Sequence, residues 1–293
     1  MSISIVVPTL NRWQFLDECL ASVAAQTDTG WEVIVVNDGS DEPDTYGVRE
    51  KWSDSRFRWI DHKQRRGISA ARNFGISSAR HQLILTLDND DMLYPQCLER
   101  LRPLFDNPDI DCAYGDFEFF GSVSHIHSFE DLELSRLAVT QFIPAQVLMR
   151  KSLWEKAHGY ADDPCFMHGN EDWDFWLSAA EAGFRYHHLR EALYRYRVHA
   201  GGISKTNLTR EDYRTREVMY RRHRGFFDRH SSRREFLGTG YWRSASAHCS
   251  RGTLMKCLLL GFRAFTFIPD FARARDLVRR TLVAALANPP LQP

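Results

Sequence analysis

The sequence predicts an α/β protein built on a mostly parallel sheet, for two reasons. Short runs of almost uninterrupted apolar residues alternate with longer segments in which apolar residues recur at helical spacing. Strands that lack polar positions are typical of parallel sheets, because helices cover both faces of such sheets. Ligands of these sheets bind at the carboxyl ends of the strands, so polar functional residues are expected there.

The alternation is clearest in residues 1–115. Residues 2–8 form the first predicted strand, which Pro8 ends, and residues 13–26 place apolar side chains on one helical face. The other strands predicted in this half are 31–36, 57–60, 81–87 and 110–114, and the other helices are about 68–79 and 95–105.

The pattern is less regular after residue 115. A short strand is predicted at 117–120, and residues 122–137 have no clear periodicity, so we interpret them as a mobile or acceptor-side loop. The elements predicted next are a strand at 147–150, a helix ending at 158, a helix at 171–182, and strands near 186–189 and 193–198. From residue 202 onward the chain is predicted to be helical.

The chain carries no net charge at pH 7, but its charges are unevenly distributed. Residues 201–293 contain 18 Lys and Arg against 7 Asp and Glu, a net charge of +11, so the preceding residues carry −11. A basic tail indicates an anionic partner, or else a solvated helical face. Two apolar-rich stretches in the tail, 254–267 and 271–286, could lie on an anionic membrane, pack against the rest of the chain or form a dimer interface; no nucleic-acid partner is predicted.

The predicted compartment is the cytoplasm. The six cysteines show no metal-ligand spacing, and the chain begins with a strand-like run instead of a signal peptide. No uncharged apolar run approaches the roughly 20 residues of a membrane span, because Lys256 and Arg263 interrupt the most apolar segment. Any membrane contact is therefore expected to be peripheral, on the cytoplasmic face.

An acidic cluster, Asp88-Asn89-Asp90-Asp91, directly follows the predicted strand 81–87. Carboxylates this close repel one another, and a hard cation such as Mg²⁺ or Mn²⁺ relieves the repulsion and bridges to phosphate oxygens. A helix cap at Asp91 is the alternative, although a cap needs one aspartate and not three. The cluster therefore predicts a divalent metal site.

Polar residues also follow the other strands. Thr9 and Asn11 come after the first strand, and Asp38 comes after the second, where an Asx-turn is the alternative. Arg72 and the loop 65–67 could hold phosphates through their cations and free backbone N–H groups, with plain solvated arginines as the alternative. Three strand ends are thus predicted to meet at one crevice.

Two later motifs carry further candidates. The helix predicted at 171–182 begins Glu171-Asp172-Trp173, where acidic residues also favour the helix dipole. An aromatic neighbour could shield a carboxylate and favour its action as a base, stack on a sugar, or belong to the core. His199 ends the last predicted strand, just before two glycines, and a lone histidine is more often structural.

In combination, these motifs resemble family 2 of the glycosyltransferases, inverting enzymes with the GT-A fold. The matching segments are Val6-Val-Pro-Thr-Leu-Asn-Arg12, Val36-Asn-Asp-Gly-Ser40, Gly67-Ile-Ser-Ala-Ala-Arg-Asn-Phe-Gly75, Leu87-Asp-Asn-Asp-Asp91, Glu171-Asp-Trp-Asp-Phe-Trp-Leu177 and Tyr196-Arg-Val-His199. Each is weak alone, but six in family order are specific, and together they span roughly residues 3–204.

The resemblance implies a GT-A domain with a Rossmann-like, mostly parallel sheet at 1–204, followed by a basic helical extension at 205–293. Within the domain, 1–115 would be the nucleotide-binding half, and 116–204 the half that holds the acceptor and the catalytic base. The donor, a nucleotide-diphospho-sugar, would be bound in the first half. The residues implied for donor binding are Thr9, Asn11, Asp38, Arg72, Asp88 and Asn89.

The resemblance implies roles for the metal and the base as well. Thr9 and Asp38 would contact the nucleotide base, and Arg72 the base or the diphosphate. Asp88 would contact the ribose. Asp90 would hold the metal, Mn²⁺ or Mg²⁺, and His199 would complete its shell or touch the diphosphate.

The catalytic base implied by the resemblance is Asp172. Glu171 and Trp173 would lie near the transferred sugar or the acceptor. Spacing alone cannot separate Glu171 from Asp172, because they are neighbours.

The expected reaction is a single displacement. One base takes the proton of an acceptor hydroxyl while the metal stabilises the departing diphosphate. A UDP-sugar is the default donor from the family, and the acceptor would be a saccharide, a lipid-linked or another hydroxyl compound in polysaccharide, lipopolysaccharide or other glycoconjugate synthesis. The alternatives are a sugar-phosphate nucleotidyltransferase and a catalytically silent nucleotide-sugar-binding protein.

Overall fold

The computed structural model describes residues 1–44, 46–129, 133–199, 208–230, 233–249 and 253–287. The chain divides into two compact units. The first contains the described residues up to 129 together with 142–167 and 171–199, and the second contains 133–141, 168–170 and the described residues from 208 onward. The boundary predicted after residue 204 lies outside the described residues. The segments 133–141 and 168–170 belong to the second unit, although the prediction assigned them to the catalytic part.

The first unit is built around one sheet. Its described strands are β1 (Ile3–Thr9), β2 (Trp31–Asn37), β3 (Phe57–Asp61), β4 (Leu83–Thr86), β5 (Met92–Leu93), β6 (Cys112–Gly121), β7 (His125–His127), β8 (Leu148–Arg150) and β9 (Tyr186–Val198). Their order is β3-β2-β1-β4-β8-β6-β9-β5, and β7 pairs with β6. The pairs β3–β2, β2–β1, β1–β4 and β6–β9 are parallel. The shorter pairs β4–β8, β8–β6, β9–β5 and β6–β7 are antiparallel. The predicted α/β class is therefore confirmed.

Helices flank this sheet. Those of the first unit are α1 (Trp13–Ala24), α2 (Val48–Lys51), α3 (Ile68–Ser77), α4 (Cys97–Leu101), α6 (Lys151–Lys156) and α7 (Glu171–Glu181), and α5 (Leu134–Leu137) belongs to the second unit. Strand β1 is buried along its whole length, and Val6 pairs with Ile34 on one side and Thr86 on the other. Helix α3 packs closely on β1, because a Cβ at Gly75 would lie only 2.4 Å from Val6 Cγ1. The same Cβ would lie 3.2 Å from Val36 Cγ2, so α3 covers the carboxyl-terminal halves of both β1 and β2.

The irregular second half of the unit differs from the prediction in detail. The strands predicted at 110–114 and 117–120 are the single strand β6, whose pairing with β9 continues through a register shift around Asp116. The strands predicted at 186–189 and 193–198 are likewise one strand, β9. The helix predicted at 95–105 is α4 followed by a 3₁₀ turn from Arg102 to Asp106, where Pro103 lacks the N–H that an α-helix needs.

Short elements were missed because they carry little periodicity. The segment 122–137, predicted to be a loop, contains β7 and α5, and residues 130–132 of it lie outside the described chain. Strand β5 and helix α2 span two and four residues. Segments this short cannot show the repeat on which periodicity arguments depend.

The second unit is helical in its described residues. From Leu208 onward its helices are α8 (Leu208–Arg222), α9 (Arg224–His230), α10 (Arg233–Cys249), α11 (Leu254–Phe267) and α12 (Phe271–Ala287). Its interior includes the ion pair of Arg216 Nε with Asp212 Oδ2 at 3.1 Å, in which both side chains are almost fully buried. No helix in the described parts of the chain is long and apolar enough to span a bilayer.

Candidate functional site

The ends of β1 and β4 meet through their polar side chains. Asn89, directly after β4, donates a 2.9 Å hydrogen bond from Nδ2 to Thr9 Oγ1, at the end of β1. The N–H of Asp38, after β2, donates to the Thr9 carbonyl at 2.8 Å. The predicted convergence of three strand ends is therefore seen in the structure, with Thr9 only 3% exposed at its centre.

Asn11 organises the loop that follows β2. Its backbone N–H donates to Ser40 Oγ at 2.8 Å, and its Oδ1 accepts the N–H groups of Asp41 and Glu42, each at 3.1 Å. Its Nδ2 donates to Asp41 Oδ1 at 2.8 Å. The side-chain amide of Asn11 is thus engaged with the protein, and its predicted contribution to donor binding would be through the shape of this loop.

Asp38 has a similar structural role. Its Oδ1 accepts the N–H of Arg66 at 2.9 Å and lies 2.8 Å from His62 Nδ1, while its Oδ2 accepts the N–H of Gly67 at 2.8 Å. The backbone N–H groups before α3 that were expected to be free for a phosphate are therefore occupied by this carboxylate. Asp38 is only 4% exposed, and its predicted contact with the nucleotide base stays a prediction.

Arg72 links the end of β4 to the start of α7. Its Nη1 donates to Glu171 Oε1 and its Nη2 to Asp88 Oδ1, both at 2.6 Å, and its side chain is 1% exposed. The guanidinium also lies 5.3 Å from the centre of the Tyr160 ring. Arg72 therefore brings together two carboxylates that are far apart in the sequence. Asp88 keeps 25% of its side chain exposed.

Asp90 is paired with two side chains. Its Oδ2 lies 2.8 Å from Arg12 Nη1 and 3.0 Å from His199 Nε2. The His199 ring in turn packs edge-on against Phe15, with ring centres 5.0 Å apart. The two residues predicted to share the metal thus lie together, and Arg12 neutralises the carboxylate in the described structure.

Asp90 and His199 can be compared with the ligands that a divalent cation prefers. Among the described residues, no three or more His, Cys, Asp or Glu side chains are grouped as a metal site. Mg²⁺ is usually held by one or two carboxylates together with substrate phosphates and water. The carboxylate of Asp90 and the imidazole of His199 are ligand types that Mn²⁺ accepts. Asp90 Oδ2 and His199 Nε2 lie 3.0 Å apart. The residues present therefore fit a two-ligand site that the diphosphate would complete.

Asp91 has a different role from the predicted helix cap. It is buried, its Oδ1 accepts the N–H of Arg197 at 2.8 Å, and its Oδ2 accepts from Gln146 Nε2. Burial, and then the negative charges of Asp90 and Asp88, raise its pKa well above the usual value. Helix α4 begins only at Cys97, so the cap interpretation is wrong. Asp91 instead joins the acidic cluster to β9.

The carboxylates at the start of α7 have unlike surroundings. Glu171 is 5% exposed, and one of its oxygens accepts from Arg72, while Oε2 is buried with no hydrogen-bond partner among the described residues. Asp172 is half-buried, and its Oδ1 accepts the N–H of Trp173 at 2.8 Å. Burial, and then the charge of Glu171, raise the pKa of Asp172 to about 7, although Arg72 acts in the opposite direction. Glu171 and Asp172 therefore differ in their surroundings, and the choice of base between them stays a prediction.

Trp173 lies in the core. Its side chain is 2% exposed, so its ring presents no open face on which a sugar could stack. The core alternative that the sequence left open describes its surroundings best. Its proximity to the transferred sugar or acceptor stays a prediction.

Sequence reasoning missed three contributors to the site. Arg12 and Arg197 stand inside motifs used for the resemblance, so their positions carried a signal that was not used. Arg197 donates from Nε to the Asp90 carbonyl at 2.8 Å, and its guanidinium lies 4.5 Å from the ring centres of both Phe15 and Phe120. Gln146 had no such signal, because its partner Asp91 is 55 residues away.

Comparison with known sequences identifies relatives of the chain. The sequence profile described as Glycosyl transferase family 2 matches residues 4–168. Glycosyltransferase GlyG of Streptococcus pneumoniae is 27% identical over 229 residues, which cover 70% of this chain and 73% of that protein. The Escherichia coli enzyme UDP-Glc:alpha-D-GlcNAc-diphosphoundecaprenol beta-1,3-glucosyltransferase WfgD is 29% identical over 127 residues, 43% of this chain and 50% of that protein.

Solved structures with the same fold cover nearly the whole chain. TarS 1–349 of S. aureus, in complex with UDP-GlcNAc, aligns with a TM-score of 0.67 at 18% identity and covers 97% of this chain and 89% of that one. The mannosyltransferase PcManGT of Pyrobaculum calidifontis, in complex with GDP-Man and Mn²⁺, aligns with a TM-score of 0.58 at 16% identity, covering 97% and 86%. At these identities the likeness shows a shared fold.

Proposed function

The chain belongs to glycosyltransferase family 2 and has the GT-A fold, and on that premise we propose that it transfers a sugar from a nucleotide-diphosphate donor to an acceptor hydroxyl with inversion. The observation that carries the proposal is the half-buried carboxylate of Asp172 at the start of α7, next to Glu171, and burial raises its pKa to about 7. A general base works best when its pKa lies near the working pH. Its neighbour Glu171 is engaged by Arg72, so Asp172 is the carboxylate suited to take a proton.

In the proposed reaction, the acceptor oxygen attacks the anomeric carbon of the donor sugar. A new carbon–oxygen bond forms as the bond from that carbon to the diphosphate breaks, and the nucleoside diphosphate leaves with the bonding electron pair. The proton of the acceptor hydroxyl passes to Asp172. A single displacement inverts the anomeric carbon and needs no covalent sugar–enzyme intermediate.

Asp90 and His199 would hold a divalent cation, Mn²⁺ or Mg²⁺. When bound, the cation would offset the charge that develops on the departing diphosphate. The Mn²⁺ named with PcManGT supports this proposal. In this chain Arg12 already contacts Asp90, so its guanidinium would have to share or release that carboxylate when a cation binds.

The donor would lie in the crevice at the ends of β1, β2 and β4. We assign Thr9, Asn11, Asp38 and Asn89 to holding the shape of that crevice, because hydrogen bonds within the protein occupy them. Asp88 is the more exposed carboxylate there and is proposed to accept from the ribose hydroxyls. Arg72 would hold Asp88 in place and supply positive charge near the diphosphate.

The acceptor is proposed to be a saccharide or a lipid-linked sugar, used in the synthesis of a polysaccharide or another glycoconjugate. WfgD, a relative over part of the chain, is named for a diphosphoundecaprenol-linked acceptor. We propose a cytoplasmic location with peripheral access to the membrane, where such acceptors lie.

A panel of nucleotide-diphosphate sugars tests the donor proposal. A bound donor raises the melting temperature in proportion to its affinity and concentration, so the panel should be measured with and without Mn²⁺. We expect a UDP-sugar to stabilise the protein, and to do so more strongly with Mn²⁺. Stabilisation by a sugar linked to a different nucleotide would show that the donor is not a UDP-sugar. No stabilisation by any member of the panel, with or without Mn²⁺, would refute the proposed function.

A further inference from the structure

Helix α11 has apolar residues on two opposite faces. Cys257, Gly261 and Ala264 lie on the buried face, as expected for a helix that packs against a core. The opposite face carries four large apolar side chains with 43–74% of their surface exposed, and these are Met255, Leu258, Leu259 and Phe262. Their spacing of three and four residues places them on one stripe of the helix. A contiguous exposed apolar stripe marks a site of contact with a protein or a membrane.

Cations border this stripe. Lys256 and Arg263 are exposed on the same helix, and residues 254–267 contain no acidic residue. Helix α12 adds four exposed arginines, which are Arg273, Arg275, Arg279 and Arg280. Two of them pair with aspartates, Arg273 with Asp270 at 3.1 Å and Arg280 with Asp276 at 2.8 Å. Arg275 and Arg279 have no acidic partner among the described residues.

The stripe also borders an aromatic cleft of about 720 Å³ within the second unit. Leu259, Phe262 and Arg263 line one side of it. Tyr241 and Phe267, whose rings stack with centres 5.6 Å apart, also line it. Tyr241 is only 2% exposed and donates its hydroxyl proton to Glu217, so this cleft supports the stripe from within the protein.

We propose that the exposed stripe of α11, Met255, Leu258, Leu259 and Phe262, inserts into an anionic lipid surface whose headgroups contact the surrounding lysine and arginines. An apolar face flanked by cations is the pattern of helices that lie in the plane of a membrane interface. A second copy of the chain fits this surface less well. A two-fold contact through the stripe would bring the cations of one copy towards those of the other, and of these Lys256 is exposed while Arg263 is paired with Glu217 at 3.7 Å.

Vesicle flotation with the full-length protein tests the proposal. We expect binding to vesicles that contain phosphatidylglycerol, at least tenfold weaker binding to pure phosphatidylcholine vesicles, and loss of binding in high salt as the charges are screened. The variants L259D and F262D should each reduce flotation at least tenfold. I126D is the matched control, because Ile126 is 66% exposed on β7 of the first unit, and it should float like the parent protein.

The readouts separate this inference from the proposed transfer reaction. Each substituted side chain is exposed, so the melting temperatures of L259D and F262D should match that of the parent protein, and transfer to a water-soluble acceptor should be unchanged. If a variant melts early, F262Q tests the same contact without a new charge. Flotation of F262D and F262Q equal to that of the parent would overturn the proposal. A dimer in light scattering that F262D converts to a monomer would overturn it too, in favour of a self-association surface.

Discussion

Two regions of the first unit hold buried carboxylates in opposite ways. In the loop region, residues 9–11, 37–42 and 62–67, Asp38 accepts two backbone N–H groups and adjoins His62. In the acidic region, residues 88–91, 171–172 and 197–199, carboxylates adjoin other carboxylates, and side-chain cations offset them. The charge balance of the two regions therefore differs. We propose that the loop region shapes the crevice, whereas the acidic region provides the carboxylates for the proposed proton transfer and metal site.

The sharpest test of this contrast is Asp172→Asn in the acidic region. The amide cannot accept the proton of the acceptor hydroxyl, so transfer should fall about a thousandfold, within the range for loss of a general base. Donor binding, measured by thermal shift with Mn²⁺, should change less than about twofold, since the variant removes no donor contact proposed here.

Asp38→Asn is the matched variant in the loop region. It weakens the hydrogen bonds that close the loop, so it should weaken donor binding and lower the melting temperature. The turnover of bound donor should change little. Near-normal turnover by Asp172→Asn would show that the base is another residue, and equal effects of the two variants on turnover would remove the distinction between the regions.

The second prediction concerns the cation that holds the acidic region together. Arg72→Met leaves Asp88 and Glu171 without their shared partner, and breaking a buried ion pair on one side costs about 3 kcal/mol or more. For a chain of this size the melting temperature should fall by about 10 °C, measured by circular dichroism at pH 7.5.

An exposed pair provides the control for Arg72. Arg49 contacts Asp61 at 2.6 Å, but both side chains are more than 40% exposed, so Arg49→Met should cost at most about 1 kcal/mol. If Arg72→Met melted no earlier than Arg49→Met, the acidic region would not depend on its buried cation for stability.

The sequence predicted the parts of the molecule that depend on local pattern. Apolar runs fixed β1, β2 and β4, and parallel pairing then placed Thr9, Asp38 and Asn89 at a common edge. The same reasoning correctly placed the start of α7 at Glu171.

The roles of some site residues depend on contacts with residues that are distant in the sequence, and these could not be predicted. Asp91 reads locally as a helix cap, but its side chain bonds Gln146 and the N–H of Arg197, neither of which is near in the sequence. The amide of Asn11 suggests a ligand contact, yet loop N–H groups occupy it. Whether a polar atom binds the protein or a ligand depends on its contacts in three dimensions. A sequence motif can therefore identify a residue of the site but not the role of that residue.

The third prediction is a pair of opposite pH trends arising from Asp172. Its folded pKa of about 7 lies above the ordinary aspartate value, so the protonated form is favoured in the folded protein. Transfer needs the deprotonated form and should rise about tenfold between pH 6 and pH 8. The stability that this group contributes is present at low pH and is lost as pH rises through 7.

Two measurements check these trends. The rate of transfer at limiting donor should rise across this range, and the melting temperature of the parent protein should fall relative to that of Asp172→Asn over the same range. Asp172→Asn removes the titrating group and is therefore the internal control. A transfer rate that is flat from pH 6 to pH 8 would place the base pKa elsewhere and weaken the contrast with the loop region.

The smallest expected effect concerns Arg12, which neutralises Asp90 without a metal. The pair is partly exposed, with 31% and 18% of the two side chains accessible, and such pairs contribute about 1 kcal/mol. A divalent cation on Asp90 must displace or share this contact, so Arg12→Ala should tighten Mn²⁺ binding about fivefold, measured by the electron paramagnetic resonance signal of free Mn²⁺. Asp90→Asn should weaken the same binding, because it removes the carboxylate itself. Weaker Mn²⁺ binding in both variants would mean that Arg12 supports the metal site instead of competing with it. The acidic region would then depend on its arginines for its shape, just as the loop region depends on its backbone N–H groups.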